Sequence, residues 1–247
     1  MPTIAITGAS SGIGLELCKQ LTARGDTVWA TCRNSNPELE AIGVTGGIIS
    51  GIDVTKSEST ELLQKALTGV TIDTLINNAG GMGSKSGLTW DEQTAAQKFD
   101  TMDIDTLSIA FETNVVGVVR VTQALVNQMN EKEGSKIVII SSLMGSVGDN
   151  TSGGLMAYRA SKSAVNSVGV TMAQELRGRK IAVGLVHPGM LRTGFGGGEP
   201  PEKMKKYFKP VEGGAQGVVH AMDALSMETT GSFMHGNYGE GIKPCPW

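Results

Sequence analysis

Tyr158 and Lys162 are separated by Arg159-Ala160-Ser161. On a helix, side chains four positions apart share one face. A lysine below a tyrosine puts an ammonium beside a phenol. Its positive charge favours the phenolate and lowers the phenol pKa, and its three donors remain to hold sugar hydroxyls. Alone, such a pair is ordinary spacing on any helical surface, so the surroundings decide its meaning. Here it follows an apolar run at 136–141 that ends in Ser141-Ser142. The carboxyl end of a strand is where an open α/β sheet binds its ligands. Hydroxyl, phenol and ammonium together are donors suited to an oxygen that gains negative charge.

A second constellation opens the chain: Thr7-Gly8-Ala9-Ser10-Ser11-Gly12-Ile13-Gly14, with the spacing G-x-x-x-G-x-G. Glycines let the backbone turn sharply and approach a pyrophosphate, and the helix that follows offers free N–H groups and its positive dipole end. An ordinary glycine-rich turn has the same composition; the position between a first strand and a first helix gives the pattern its weight. The next apolar run, Val28-Trp29-Ala30-Thr31, leads into Cys32-Arg33-Asn34. A site for NAD usually has an acid at this point to bind the ribose 2′-hydroxyl. Arg33 stands there instead, and a guanidinium suits a 2′-phosphate. We therefore expect NADP(H) to be preferred over NAD(H). A further run at 74–76 ends in Asn77-Asn78-Ala79-Gly80, where buried asparagines can fix a loop through backbone bonds.

These residues need a frame. Short β-branched runs occur at 3–7, 27–31, 47–52, 74–76, 136–141, 181–187 and 231–234, with helical patterns at 12–24, 57–67, 104–129, 157–177 and 212–225. The runs are apolar without alternation, as strands buried on both faces are. Alternating strands and helices predict an α/β fold: a single doubly wound Rossmann-type domain over 1–247, with a parallel sheet of about seven strands. The 34 glycines concentrate at strand ends and at 194–198. Residues 194–210 combine Gly196-Gly197-Gly198, Pro200-Pro201 and Lys203, Lys205, Lys206 and Lys209, which fits a hinged substrate lid. Met144, Met156, Met190 and Phe195 are candidates for an apolar pocket, with core packing as the competing role.

Composition excludes several classes. The formal charge is −3, so no basic face advertises nucleic acid. Cys18, Cys32 and Cys245 form no metal or disulfide spacing, and His187, His220 and His235 are scattered. A reduced protein without a metal site is expected. No basic leader and no long apolar stretch is apparent, so we expect a cytoplasmic protein without a membrane partner; an organelle protein stripped of its transit peptide would read the same.

Over nearly its whole length the sequence resembles the short-chain dehydrogenase/reductase family. The resemblance rests on Thr7–Gly14, Asp53-Val54, Asn77–Gly80, Asn114, Ser141-Ser142, Tyr158-x-x-x-Lys162 and His187-Pro188-Gly189. It implies a catalytic set of Asn114, Ser142, Tyr158 and Lys162, with Asn114 at a kink in the 104–129 helix. It also implies cofactor contacts from Gly8, Ser10, Ser11, Gly12, Ile13, Gly14, Arg33, Asp53, Val54, Asn78, Ala79, Gly80, Tyr158, Lys162, Pro188, Gly189 and Thr193. The implied reaction is NADPH-dependent reduction of an aldehyde, ketone or quinone, with Ser142 orienting the carbonyl and Tyr158 donating the proton. A small-molecule substrate and a homodimer or homotetramer, built on the 104–129 and 157–177 helices, are further implications.

Ser142 lies sixteen residues before Tyr158, farther than in most members. The longer loop at 145–154, with Ala157-Tyr158-Arg159-Ala160-Ser161-Lys162, is similar to the subgroup of C-factor and the Sniffer carbonyl reductase. C-factor is a signalling protein, so a signalling or NADP(H)-sensing protein with little turnover is the alternative function. It would need the glycine loop but not four filled catalytic positions.

Overall fold

The computed structural model describes residues 1–83, 87–132, 134–198, 200, 202–237 and 241–247; Pro201 of the expected lid lies outside them. One sheet organises the chain. Its strands are β1 (Thr3–Thr7), β2 (Thr27–Thr31), β3 (Gly47–Ile49), β4 (Thr74–Asn77), β5 (Ser135–Ile140), β6 (Ile181–His187), β7 (Phe233–Asn237) and β8 (Gly241–Pro244). The spatial order is β3-β2-β1-β4-β5-β6-β7-β8. The seven strands expected from sequence are all parallel, while β8 adds an antiparallel edge to β7. β3 stops at Ile49, short of the expected Ile52, and Cys32 and Ile52 bond beyond its end.

The helices are α1 (Gly12–Arg24), α2 (Pro37–Ile42), α3 (Ser57–Ala66), α4 (Trp90–Ala95), α5 (Asp105–Phe111), α6 (Gly117–Leu125), α7 (Met156–Glu175) and α8 (Val211–Ala224). The apolar runs serve two cores by alternation, since successive strand side chains point to opposite faces. Ile4, Ile6, Val138 and Ile140 join Leu17 and Leu21 of α1 and Val218 of α8. Ala5, Ile137 and Ile139 join Leu63 of α3, Val121 of α6 and Val165 of α7 on the other face. β1 lies between β2 and β4, so the chain reverses its winding there, and the crevice beyond the strands' carboxyl ends opens at that point.

The helix expected at 104–129 is divided. A π turn over Glu112–Val116 separates α5 from α6, and a 3₁₀ turn follows at Val126–Gln128. Over Asp105–Gln128 it is long and apolar enough to cross a membrane, with mean hydropathy 1.3 in its most apolar window. Its apolar face is instead spent on the core: Val118, Val121 and Leu125 are buried against the sheet.

Candidate active site

The crevice is a cavity of about 1240 Å³ running from the glycine loop to the 194–210 segment. At its floor Gly8 and Gly12 are left-handed (φ 68° and 54°), a conformation that side chains disfavour. A Cβ on Gly14 would collide with the Gly8 carbonyl, so Gly14 lets α1 start hard against the loop. Ser11 makes no side-chain cap, and the first turn of α1 carries no acid. Its N–H groups and dipole face the cavity, a cradle that fits a pyrophosphate. Asn78 closes the loop from behind: its Nδ2 donates to the Thr7 and Gly8 carbonyls at 2.9 and 3.1 Å, and Thr7 Oγ1 accepts from the Asn78 and Ala79 amides. Asn78 thus plays the structural role expected of the asparagines, while Asn77 Nδ2 donates instead to Thr122 Oγ1 at 3.0 Å.

Gly8, Ser10, Ser11, Gly12, Ile13, Arg33, Asp53, Val54, Asn78, Ala79, Gly80, Tyr158, Lys162, Pro188, Gly189 and Thr193 all line the cavity, whereas Gly14 lies behind it. Arg33 is exposed at the end of β2. It is close enough to Asp53 to help hold that carboxyl below its ordinary range. Burial opposes this shift, and bonds from Thr55 to the carboxylate drive it. The dinucleotide that the fold family implies is compatible with this lining: uncapped amides for phosphates and a guanidinium at the ribose end.

At the other end Tyr158, Ser142 and Lys162 share one wall. β5 ends at Ile140, and its Ser141-Ser142 extension splits in direction. Ser141 Oγ bonds Asn166 Oδ1. Ser142 turns the opposite way, accepts from the Met144 amide at 3.2 Å and meets the Tyr158 hydroxyl. Both serines line the cavity, but Ser141 is spent on Asn166 and Ser142 is the one that acts on the Tyr158 hydroxyl. Gly145 allows this register, since a Cβ there would lie 2.7 Å from the Lys162 backbone. The loop is fastened by Arg159, whose Nε donates to the Gly153 and Gly154 carbonyls at 3.2 and 3.0 Å.

Asn114 is buried in the π turn and does not line the cavity. Its Oδ1 accepts from the Gly81 amide at 2.9 Å, and its Nδ2 donates to the Gly81 carbonyl and to Ser161 Oγ at 2.8 and 2.9 Å. It stands one layer behind Lys162: a Cβ on Gly80 would meet Asn114 Oδ1 at 3.2 Å and Lys162 Nζ at 3.7 Å.

The electrostatics differ from the sequence expectation. Tyr158 is pushed up to about 12 by burial, which the Ser142 hydrogen bond only partly offsets. Lys162 Nζ lies 5.7 Å from the Tyr158 ring centroid and donates to the Ile140 carbonyl at 2.8 Å. Burial pushes Lys162 itself down to about 8. Above about 8 no ammonium is left beside the phenol where it would ionise, so the expected lowering does not occur. The phenol stays protonated across the neutral range and is poised as a donor. His187 also lines the cavity, its ring edge-on to His235 at 4.7 Å; burial, with His235 and Lys162 close by, pushes it to about 3.

The outer wall holds Met82, Trp90, Met144, Leu155, Met190, Phe195, Met204 and Phe208. Met144, Met190 and Phe195 were expected there; Met156 does not contribute. Phe195 packs on Tyr158 with centroids 5.9 Å apart, and Trp90 meets Phe208 at 5.7 Å. The 194–210 segment is tied at its base by Arg192 N to Lys209 O and Lys209 N to Met190 O, at 3.0 and 2.8 Å. Of its lysines Lys203 lines the cavity, while Lys205 pairs with Glu202 and Lys206 lies over Tyr207. Trp90 was missed in the sequence, although Thr89 and Glu92 form a capping box that announces α4.

A profile for short chain dehydrogenases matches residues 2–203. A 1-hydroxy-2-glutathionyl-2-methyl-3-butene dehydrogenase of Rhodococcus sp. (strain AD45) is 36% identical over 237 residues, covering 95% of this chain and 96% of the relative. The C-signal protein of Myxococcus xanthus is 31% identical over 162 residues, 66% of this chain and 87% of the relative. A carbonyl reductase from Pseudomonas aeruginosa PAO1, solved in complex with NADP, superposes with a TM-score of 0.79 at 27% identity over the whole of both chains. The Drosophila melanogaster carbonyl reductase Sniffer shares the fold at a TM-score of 0.82 and 23% identity over the whole of both chains.

Proposed function

Because the chain belongs to the short-chain dehydrogenase/reductase family, we propose that it is an NADPH-dependent reductase of aldehyde, ketone or quinone carbonyls, with Tyr158 as proton donor. The observation that carries this reading is the convergence of Ser142, Tyr158 and Lys162 on one wall of the cavity that the glycine loop opens. Bound NADPH would supply the hydride. Ser142 orients the carbonyl oxygen by donating to it. Tyr158 protonates that oxygen as charge develops, and burial keeps its proton in place until then. Lys162 would hold the cofactor's sugar hydroxyls and, with a water held at Asn114, would return a proton to the phenol. Phe195 and the apolar outer wall exclude water while residues 194–210 act as a lid. The decisive assay follows NADPH absorbance against a broad carbonyl panel. A protein that binds NADPH but turns over no member, in either direction, would instead be the sensor suggested by the likeness to C-signal.

A second reading has the same chemistry run oxidatively on the alcohol of a glutathione conjugate. It is favoured by the near-complete coverage of the Rhodococcus dehydrogenase. The cavity also carries both charges a zwitterionic tail needs, from Arg159, Lys203 and Asp91. Glutathionyl alcohols with NADP⁺ and NAD⁺ belong in the same panel.

Preference for NADP(H) rests on Arg33. Arg33→Ala should weaken NADPH binding roughly 10-fold or more, the scale of a charge-assisted phosphate contact, and leave NADH nearly unchanged. Titration with both cofactors checks this, and equal weakening would reduce Arg33 to a structural residue. By analogy with the family we also propose a homodimer or homotetramer through α5–α6 and α7, where Ile109 and Val116 are each 38% exposed. A clean monomer by light scattering at micromolar concentration would remove that proposal. The buried free thiols Cys18, Cys32 and Cys245 agree with a reducing, cytoplasmic setting.

A further inference from the structure

Helix α7 carries Tyr158 in its first turn, yet begins without a cap of its own. Its N-cap residue, Leu155, is left-handed at φ 49°, ψ 45° and makes no side-chain cap bond. The leading N–H groups of a helix need partners from elsewhere. Gln97, beyond the end of α4, supplies two of them. Its Oε1 accepts from the Tyr158 amide at 3.1 Å, and its backbone carbonyl accepts from the Met156 amide at 3.4 Å. Its Nε2 donates to the Met82 carbonyl at 2.8 Å. The side chain is fully buried, 0% exposed, and does not line the cavity.

A buried amide used at both ends has one orientation, because a flip would set donor against donor. Gln97 thus spans from the loop after β4, at Met82, to the first turn of α7. Met82, Leu155 and Tyr158 also form a small apolar cluster of their own, backed by Met144 and separate from the two sheet cores. On the far side of the same segment lies the glycine run of the 194–210 strap. A Cβ on Gly196 would lie 2.8 Å from Trp90, and one on Gly197 would collide with the Leu88 carbonyl. The stretch from Leu88 to Gln97 is therefore in contact with the strap at one end and with the Tyr158 backbone at the other.

We propose that Gln97 is a positioning residue for Tyr158: a helix cap supplied by a distant segment, which sets where the phenol stands against Ser142. This rests on Tyr158 being the proton donor. Misplacement of a reacting group by about 1 Å costs on the order of 100-fold in rate, and the phenol amplifies any rotation of its helical turn.

The test is Gln97→Met, which keeps volume and removes both side-chain bonds. It should lower kcat roughly 10- to 100-fold, with the Kd for NADPH within about twofold and the sheet's amide exchange unchanged. Exchange at the Tyr158 amide should quicken. A cap that only supported the fold would instead lower melting temperature, NADPH affinity and kcat together, and that result overturns the proposal. Full kcat in the variant overturns it too, while leaving the reductase reading intact. Absence of turnover in the wild type removes both. Should Gln97→Met not fold, Gln97→Asn keeps the amide but is one methylene too short to reach both the Tyr158 amide and the Met82 carbonyl. It should lose kcat to a smaller degree at unchanged NADPH affinity, and a Gln97→Asn protein with full kcat is equally fatal.

Discussion

Tyr158→Phe is expected to lower turnover at least ~100-fold, the low end for a positioned general acid, with melting temperature and NADPH affinity close to wild type. The ring keeps its packing against Phe195 and within the Met82–Leu155 cluster. Only the hydroxyl and its contact with Ser142 are lost. The comparison of the two serines sharpens the test. Ser142→Ala should reduce turnover with little effect on cofactor binding. Ser141→Ala should act on stability instead, because it strands the buried Asn166 side chain to which Ser141 is bonded. Steady-state kinetics with thermal melts on the three variants decide the matter. Near-normal reduction by Tyr158→Phe would sink the mechanism, and a larger kinetic effect at Ser141 would reverse the roles of the serines.

Lys162→Met should damage both turnover and NADPH affinity, roughly 100-fold or more in kcat/KM, since it removes the ammonium from the cavity wall. It also has a signature without cofactor. Lys162 titrates near 8 in the folded protein against an ordinary value of 10.5. Between those values the unfolded chain binds the proton that the folded one has released. Wild-type stability therefore rises with pH across that window, whereas below about 8 both states carry the charge and the burial penalty is felt in full. Lys162→Met has no such group, so the wild type should gain on it from pH 8 to 10. Denaturant unfolding of both proteins across that range checks the sign; parallel curves would mean that the lysine is not desolvated.

Much of the frame was legible because most residues of the parallel strands are buried on one side or the other. Continuous runs such as Ile181–His187 have no solvent face to interrupt them. The glycine loop and the Tyr158–Lys162 pair were legible for a local reason: each is a short pattern on one element. What escaped was short or long-range. Asn36 and Pro37 announce α2 by cap chemistry, but six residues give no periodicity to read. β8 is four residues long, starts on a glycine and ends on a proline, and pairs only as an edge. Gln97 meets Tyr158 across sixty-one positions of sequence, and a lone polar residue says nothing about which amide it will cap. The sign of the Tyr158 shift was unreadable because charge proximity follows from spacing, while desolvation follows from everything packed around the pair.

The π turn at Glu112–Val116 bears on which changes of length the gene can tolerate. It holds one residue more than an α-helical course would need, and the wide turn absorbs that surplus so that α5 and α6 stay in phase. Loss of a single codon within it would let Asp105–Leu125 close into a continuous α-helix with both halves still facing as they do now. Thr106 and Ala110 would keep their burial, and what would go is the wide turn that aims Asn114 at Gly81 and Ser161. A one-residue loss here should therefore leave the fold standing and cost the site its support, so that relatives align across this helix without a gap.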